Sequence, residues 1–97
     1  MKPTAIQYLR FQKLLTYRKA YWILAGYELR LDKPWVPNWK DDAHKYCIVL
    51  NNNELICKSY SYDPQILAFP TIKLRNEFLK KFRKLILECQ IFLTCID

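Results

Sequence analysis

The sequence predicts a small α+β domain: a long N-terminal helix, an antiparallel β-hairpin with a candidate short third strand, and a long amphipathic C-terminal helix. Three observations predict it. Residues 5–30 contain no proline and consist mostly of helix formers. Lys45–Ser59 is two β-rich runs separated by Asn51-Asn52-Asn53. Residues 72–93 carry apolar side chains at helical spacing. Strands gathered between two helices, rather than alternating with them, read as α+β. At 97 residues the chain is expected to form one domain, residues 1–97. Its 52% apolar share supplies a core, and 26% charged residues argue against disorder.

The first helix starts after Thr4, a good N-cap, and runs to about Arg30 with Gly26 near its end. Ile6, Leu9, Leu14, Tyr17, Tyr21, Leu24 and Leu31 recur at roughly helical steps. Tyr8, Phe11, Leu15, Trp22 and Ile23 widen that stripe, so the helix is expected to be covered on more than one side. The run reads either as one helix or as two with a kink near Thr16. Pro34 and Pro37 then forbid regular structure around Trp35 and Trp39, and both rings need something to pack on.

Lys45–Leu50 and Glu54–Ser59 form the hairpin. A symmetric turn over the three asparagines sets Leu50 opposite Glu54 and Cys47 opposite Cys57. Val49 and Leu55 then share one face, and Tyr46, Ile48 and Ile56 the other. Ile66–Phe69, bounded by Pro70, is the candidate third strand. A three-stranded sheet backed by a helix is stable where a lone hairpin is marginal. Thr71 caps the last helix, which runs to about Leu93 with Leu74, Phe78, Phe82, Leu85, Ile86, Cys89 and Leu93 as its buried stripe.

The net charge of +7 is unevenly spread. Residues 1–27 hold Lys2, Arg10, Lys13, Arg18 and Lys19 and no acid. Residues 73–84 hold six bases against Glu77 alone, while residues 28–72 hold five bases and six acids. The two helices therefore carry the positive field, which attracts acidic partners, nucleic acid among them. The same lysines also suit a solvated helix face. Leu87 and Ile91 interrupt the lysine side of the last helix, with Phe92 at the edge of its stripe. They are either covered by the first helix or a contact site for a partner. The candidate partner-binding residues are Lys73, Lys80, Lys81, Lys84, Arg10, Arg18, Leu87 and Ile91.

The longest run without a charged side chain is Pro64–Ile72, far short of the ~20 apolar residues of a spanning helix. Arg10 and Lys13 interrupt any signal-peptide core, so a cytoplasmic location is expected. Cys47, Cys57, Cys89 and Cys95 show no C-x-x-C pair, and His44 is the single histidine. They are expected to be free, buried thiols rather than a zinc site. A single glycine rules out glycine-rich phosphate loops and dinucleotide fingerprints, and no cofactor is expected. Asp41 and Asp42 are adjacent, and Ser59 and Ser61 lack a nucleophile elbow. His44 with Cys47 is the least unfavourable catalytic pair, and a buried strand cysteine is a poor nucleophile. No catalytic residue is assigned, and the chain is expected not to be an enzyme.

The runs YRKAYWILAGYELRLDKPWVPNWKDDAHKYCIVL and LAFPTIKLRNEFLKKFRKLI, with the Trp35-Val36-Pro37-Asn38-Trp39 loop and the Phe69-Pro70-Thr71 cap, resemble a loose group of small uncharacterised bacteriophage and mobile-element proteins. The resemblance covers residues 17–93. It implies a helix, aromatic hairpin and capped helix, and a phage or mobile-element origin. Small phage proteins of this size often bind and disable host machinery. The resemblance therefore implies a non-catalytic inhibitor of a host defence complex, anti-CRISPR-like in targeting a CRISPR effector nuclease within the infected cell. The alternative is a small basic nucleic-acid-binding accessory protein, gripping phosphates through its helices and stacking Trp35 or Trp39 on bases.

Overall fold

A computed structural model describes residues 2–93. The first helix, α1 (Ala5–Glu28), is a single unbroken rod. Its start is fixed by a capping box: Gln7 N donates to Thr4 Oγ1 at 3.2 Å and Thr4 N to Gln7 Oε1 at 2.8 Å. There is no kink at Thr16, whose hydroxyl donates to Gln12 O at 2.9 Å without breaking the ladder. The helix ends at a Schellman motif. Arg30 N donates to Tyr27 O at 3.1 Å and Leu31 N to Gly26 O at 2.8 Å, with Arg30 in the left-handed region at φ 58°. An arginine thus occupies the place a glycine usually takes, and Gly26 is buried inside the helix for a different reason.

That reason is the connection that follows α1. Trp35 N donates to Trp22 O at 3.0 Å, and the two indoles meet edge-on at 5.8 Å. The chain from Lys33 to Trp35 crosses α1 so closely that a Cβ on Gly26 would lie 2.3 Å from Lys33 O. Only a residue without a side chain admits that approach.

Strands β1 (Lys45–Asn51), β2 (Glu54–Tyr60) and β3 (Leu67–Phe69) form an antiparallel sheet in the order β2-β1-β3. The hairpin register corrects the sequence expectation. The turn is two residues, not three: Asn52 and Asn53 take φ of 52° and 66°, while Asn51 stays extended and pairs with Glu54. Leu50 therefore faces Leu55, Ile48 faces Cys57, and Cys47 faces Lys58. A one-residue slip moves every β2 side chain to the other face. Leu55 and Cys57 now share the face of Ile48; Leu55 packs on the core there while Cys57 is exposed, so the expectation of buried thiols fails for Cys57 and holds for Cys47 and Cys89. Cys95 lies outside the described residues.

The last helix also stops earlier than its apolar stripe suggests. α2 (Ile72–Glu88) is capped by Thr71, whose Oγ1 accepts from Leu74 N at 3.2 Å. It ends at Cys89, and a four-residue turn, α3 (Gln90–Leu93), follows. α1 and α2 pack along a column of rings. Tyr17 stacks on Phe82 at 4.5 Å, Phe78 meets Phe82 at 4.7 Å and Phe69 at 4.9 Å, and Tyr21 meets Phe78 edge-on at 5.1 Å. Phe11 stacks on Phe92 at 4.3 Å, extending the column onto α3. α1 is covered by α2, the sheet and the loop at Gly26, yet its outer side is open. The helix is thus covered on more than one side, as expected, but incompletely: Phe11 and Trp22 of the widened stripe pack on the core, while Tyr8 and Ile23 are each 50% and Leu9 of the first stripe 64% exposed. No helix among the described residues is long and apolar enough to cross a membrane.

Candidate partner-binding surface

The charged side of α2 follows from the helical period. Leu74, Phe78 and Ile86 are buried against the sheet and α1, so residues about half a turn away face solvent. Lys73, Lys80, Lys81, Arg83, Lys84 and Leu87 are all exposed. Lys80, Lys81, Arg83, Lys84, Leu87 and Glu88 line one shallow depression. Arg83 belongs to this group and was not singled out by the sequence pattern. Lys73 lies two turns upstream on the same face, about 10 Å along the axis.

The electrostatics of this surface are not those of a self-satisfied helix. Among the described residues, Lys80, Arg83 and Lys84 have no carboxylate within 4 Å. Lys81 Nζ sits 5.7 Å over the Phe82 ring. Lys80 and Lys84 flank Phe82, where α2 leaves helical geometry (φ −117°, ψ 18°), and both line the same depression. Nor does the helix dipole explain the pattern, because the last turn has no base and contains Glu88.

The other candidate residues go elsewhere. Arg10, on α1, reaches Glu88 at 3.8 Å and borders the depression through that pair. Arg18 is not part of it. Its guanidinium lies 4.1 Å over the Trp22 ring and Nη1 donates to Ile66 O at 2.9 Å, half-buried and pushed down in pKa by that burial. Arg18 is thus a tie between α1 and the approach to β3. Trp22, one turn on, repeats the device: Nε1 donates to Ala68 O at 2.8 Å. Ile91 lies beyond the break at Cys89 and is partly buried on α3. α1 covers Phe92 through Tyr8 and Phe11, leaving Leu87 open at 38% exposure.

The groups weighed for catalysis gather around the start of β1 and the end of β2. Cys47 is fully buried, its Sγ donates to Lys45 O at 3.4 Å, and burial pushes its thiol up to about 12, so it is protonated at neutral pH. His44 Nδ1 lies 3.4 Å from Ser59 Oγ. Ser61 Oγ donates to Asp42 O at 3.1 Å. Among the described residues no three His, Cys, Asp or Glu side chains converge as metal ligands.

The residue that sequence reasoning missed is Lys45, which the strand pattern gave no reason to bury. Only 2% exposed, it spends all three ammonium protons: on Asp41 Oδ1 at 2.8 Å, Asp41 O at 3.1 Å and Ser61 O at 2.7 Å. The ammonium also lies 5.4 Å from the Trp39 ring. One cation therefore bolts the tryptophan loop to the end of β2. Lys45→Met keeps the stem and strips these acceptors of their donor. We expect a loss of about 1–3 kcal/mol, read by thermal denaturation. The Lys45 hydrogen bond holds the Asp41 carboxyl below its usual range. A lowered folded-state pKa gives stability that is complete above the ordinary aspartate range and fades as pH falls through the lowered value. Lys45→Met should flatten that acid limb of the stability profile, and an unchanged limb would exclude the pairing as its source.

Comparison with family models, with curated proteins and with solved structures yields no match to this chain.

Proposed function

We propose that this chain is a non-catalytic binding protein that docks the basic face of α2 on an acidic surface of a partner protein. The resemblance to small phage proteins makes a host defence complex, and within that class a CRISPR effector nuclease, the target to test. The observation that carries the reading is the set of cations Lys80, Arg83 and Lys84, without a carboxylate partner among the described residues, around exposed Leu87. An apolar contact ringed by charge has the composition of a protein interface: the centre excludes water and the rim steers encounter. The loop indoles weigh against the nucleic-acid alternative. Trp35 is packed edge-on against Trp22, and Trp39 lies under the Lys45 ammonium, so neither ring is a free stacking platform.

The test is a DNA-cleavage assay of purified CRISPR effector complexes with the protein added. The expected result is inhibition by the wild type. With Lys80→Glu/Lys84→Glu the inhibitory concentration should rise about tenfold or more, as reversal of rim charges slows association. Inhibition that persists unchanged in that variant would remove α2 from the mechanism. A mobility shift of free nucleic acid at low salt that disappears with rising salt, without effect on any effector, would favour the accessory-protein reading.

A further inference from the structure

The two free sides of the sheet are finished in different ways. Along β3, the outward carbonyls of Ile66 and Ala68 receive Arg18 Nη1 at 2.9 Å and Trp22 Nε1 at 2.8 Å, so α1 closes that edge. β2 has no such cover among the described residues. Asn51 and Glu54 close a two-residue turn and exchange main-chain bonds, so Glu54, Ile56 and Lys58 direct their N–H and C=O groups at β1. Leu55, Cys57 and Ser59 therefore turn theirs to the open edge, where Cys57, Lys58 and Ser59 are exposed. An open row of donors and acceptors is a template for another strand.

The sequence of β2 identifies that strand. Read against itself in reverse about Ile56, Glu54 falls opposite Lys58 and Lys58 opposite Glu54, and Leu55 falls opposite Cys57. We propose that the protein pairs with a second copy of itself through β2, antiparallel about a two-fold axis at Ile56, giving a six-stranded sheet in the order β3-β1-β2-β2-β1-β3. In this register Leu55 and Cys57 of the two copies make the hydrogen-bonded pairs. Ile56 meets Ile56, and each Glu54 meets a Lys58 at a non-hydrogen-bonded site, where facing side chains approach most closely. A one-residue slip sets outward main-chain groups against inward ones and breaks the ladder. A two-residue move of register, with the axis at Cys57 or Leu55, keeps the ladder but separates both charge pairs. Charge therefore selects the axis. Neither Glu54 nor Lys58 has an ion-pair partner among the described residues of its own chain. The contact also uses residues 28–72, with five bases and six acids, where two chains of charge +7 repel least.

A contact made by one pair of edge strands is small, so the dimer is weak and forms at micromolar or higher concentration. Sedimentation velocity over a concentration series tests it, with cross-linking by a bismaleimide of about 8 Å reach. The axis at Ile56 places the two Cys57 side chains diagonally, about 7–8 Å apart. A Cys95→Ser background leaves Cys57 as the exposed thiol among the described cysteines. We expect a cross-linked dimer in this background and none after Cys57→Ser. Lys58→Glu should weaken association about tenfold or more, because it faces two carboxylate pairs across the axis. Glu54→Lys/Lys58→Glu, which exchanges the two charges, should restore it, a rescue that misfolding cannot produce. A sedimentation coefficient that stays monomeric throughout the series would overturn the proposal. So would a dimer that ignores Lys58→Glu and gives no Cys57 cross-link, since its contact would lie elsewhere.

Discussion

Gly26→Ala is expected to destabilise the protein by about 3 kcal/mol or more, although glycine to alanine in an open helix interior gains about 1 kcal/mol. The sign reverses because of what crosses α1 at this point. A Cβ at Gly26 would lie 2.3 Å from Lys33 O, 2.9 Å from Pro34 Cα and 3.0 Å from Trp35 N. All three are backbone atoms and no rotamer change relieves them. The obstruction must be met by lifting the loop, which breaks the Trp35 N to Trp22 O bond and parts the Trp22–Trp35 edge contact. Trp22 also carries the bond to Ala68 O, so the disturbance reaches β3. For a domain of this size, 3 kcal/mol lowers the melting temperature by about 12–24 °C. Circular dichroism melts of Gly26→Ala against the wild type measure it. A melting temperature at or above the wild-type value would mean that the loop does not sit on α1 as described.

Much of this architecture was legible because period and punctuation agree. Thr4 and Thr71 are caps whose following residues keep helical spacing, and both helices begin where those threonines place them. The hairpin and the short third strand were legible from β-branched and aromatic runs bounded by asparagine and proline. What misled was local chemistry with two solutions. Three asparagines all tolerate left-handed angles, and nothing in their identity says that only Asn52 and Asn53 adopt them. Gly26 was placed only near the end of the first helix, and nothing in its identity says that the loop crosses there or that the left-handed position falls to Arg30. Tertiary approach decided both, and it leaves no local mark. The candidate surface was read in part for the same reason. Helical period located Lys80, Lys81, Lys84 and Leu87 on one face, but Arg18 is drawn inward by Ile66 O, which lies 48 positions away in the chain. Lys45 was illegible as a buried cation because its acceptors, two of them main-chain oxygens, converge only once the loop has folded.

Phe78→Ala is expected to have the largest effect of any single truncation in the core, about 3–5 kcal/mol. Phe78 meets three other rings, Phe69 at 4.9 Å, Phe82 at 4.7 Å and Tyr21 at 5.1 Å, and unlike Tyr21 and Phe82, which also meet three rings each, it is fully buried. Those partners come from β3, α2 and α1, so one side chain joins all three layers. Its removal forfeits the transfer free energy of the ring, leaves a cavity, and loses aromatic contacts worth about 0.5–1.5 kcal/mol each. The void cannot collapse easily, because β3 is held from outside by Arg18 and Trp22 while α2 is pinned at its start by Thr71. A small domain has about 5–10 kcal/mol in total, so the variant should be largely unfolded at moderate urea. Phe92→Ala, at the partly buried end of the same column, should cost clearly less. Urea denaturation of the two variants separates these effects through their midpoints, with the slope unchanged if both native states stay compact. Equal midpoint losses would show that the ring column acts as one cooperative unit and that Phe78 is not its centre.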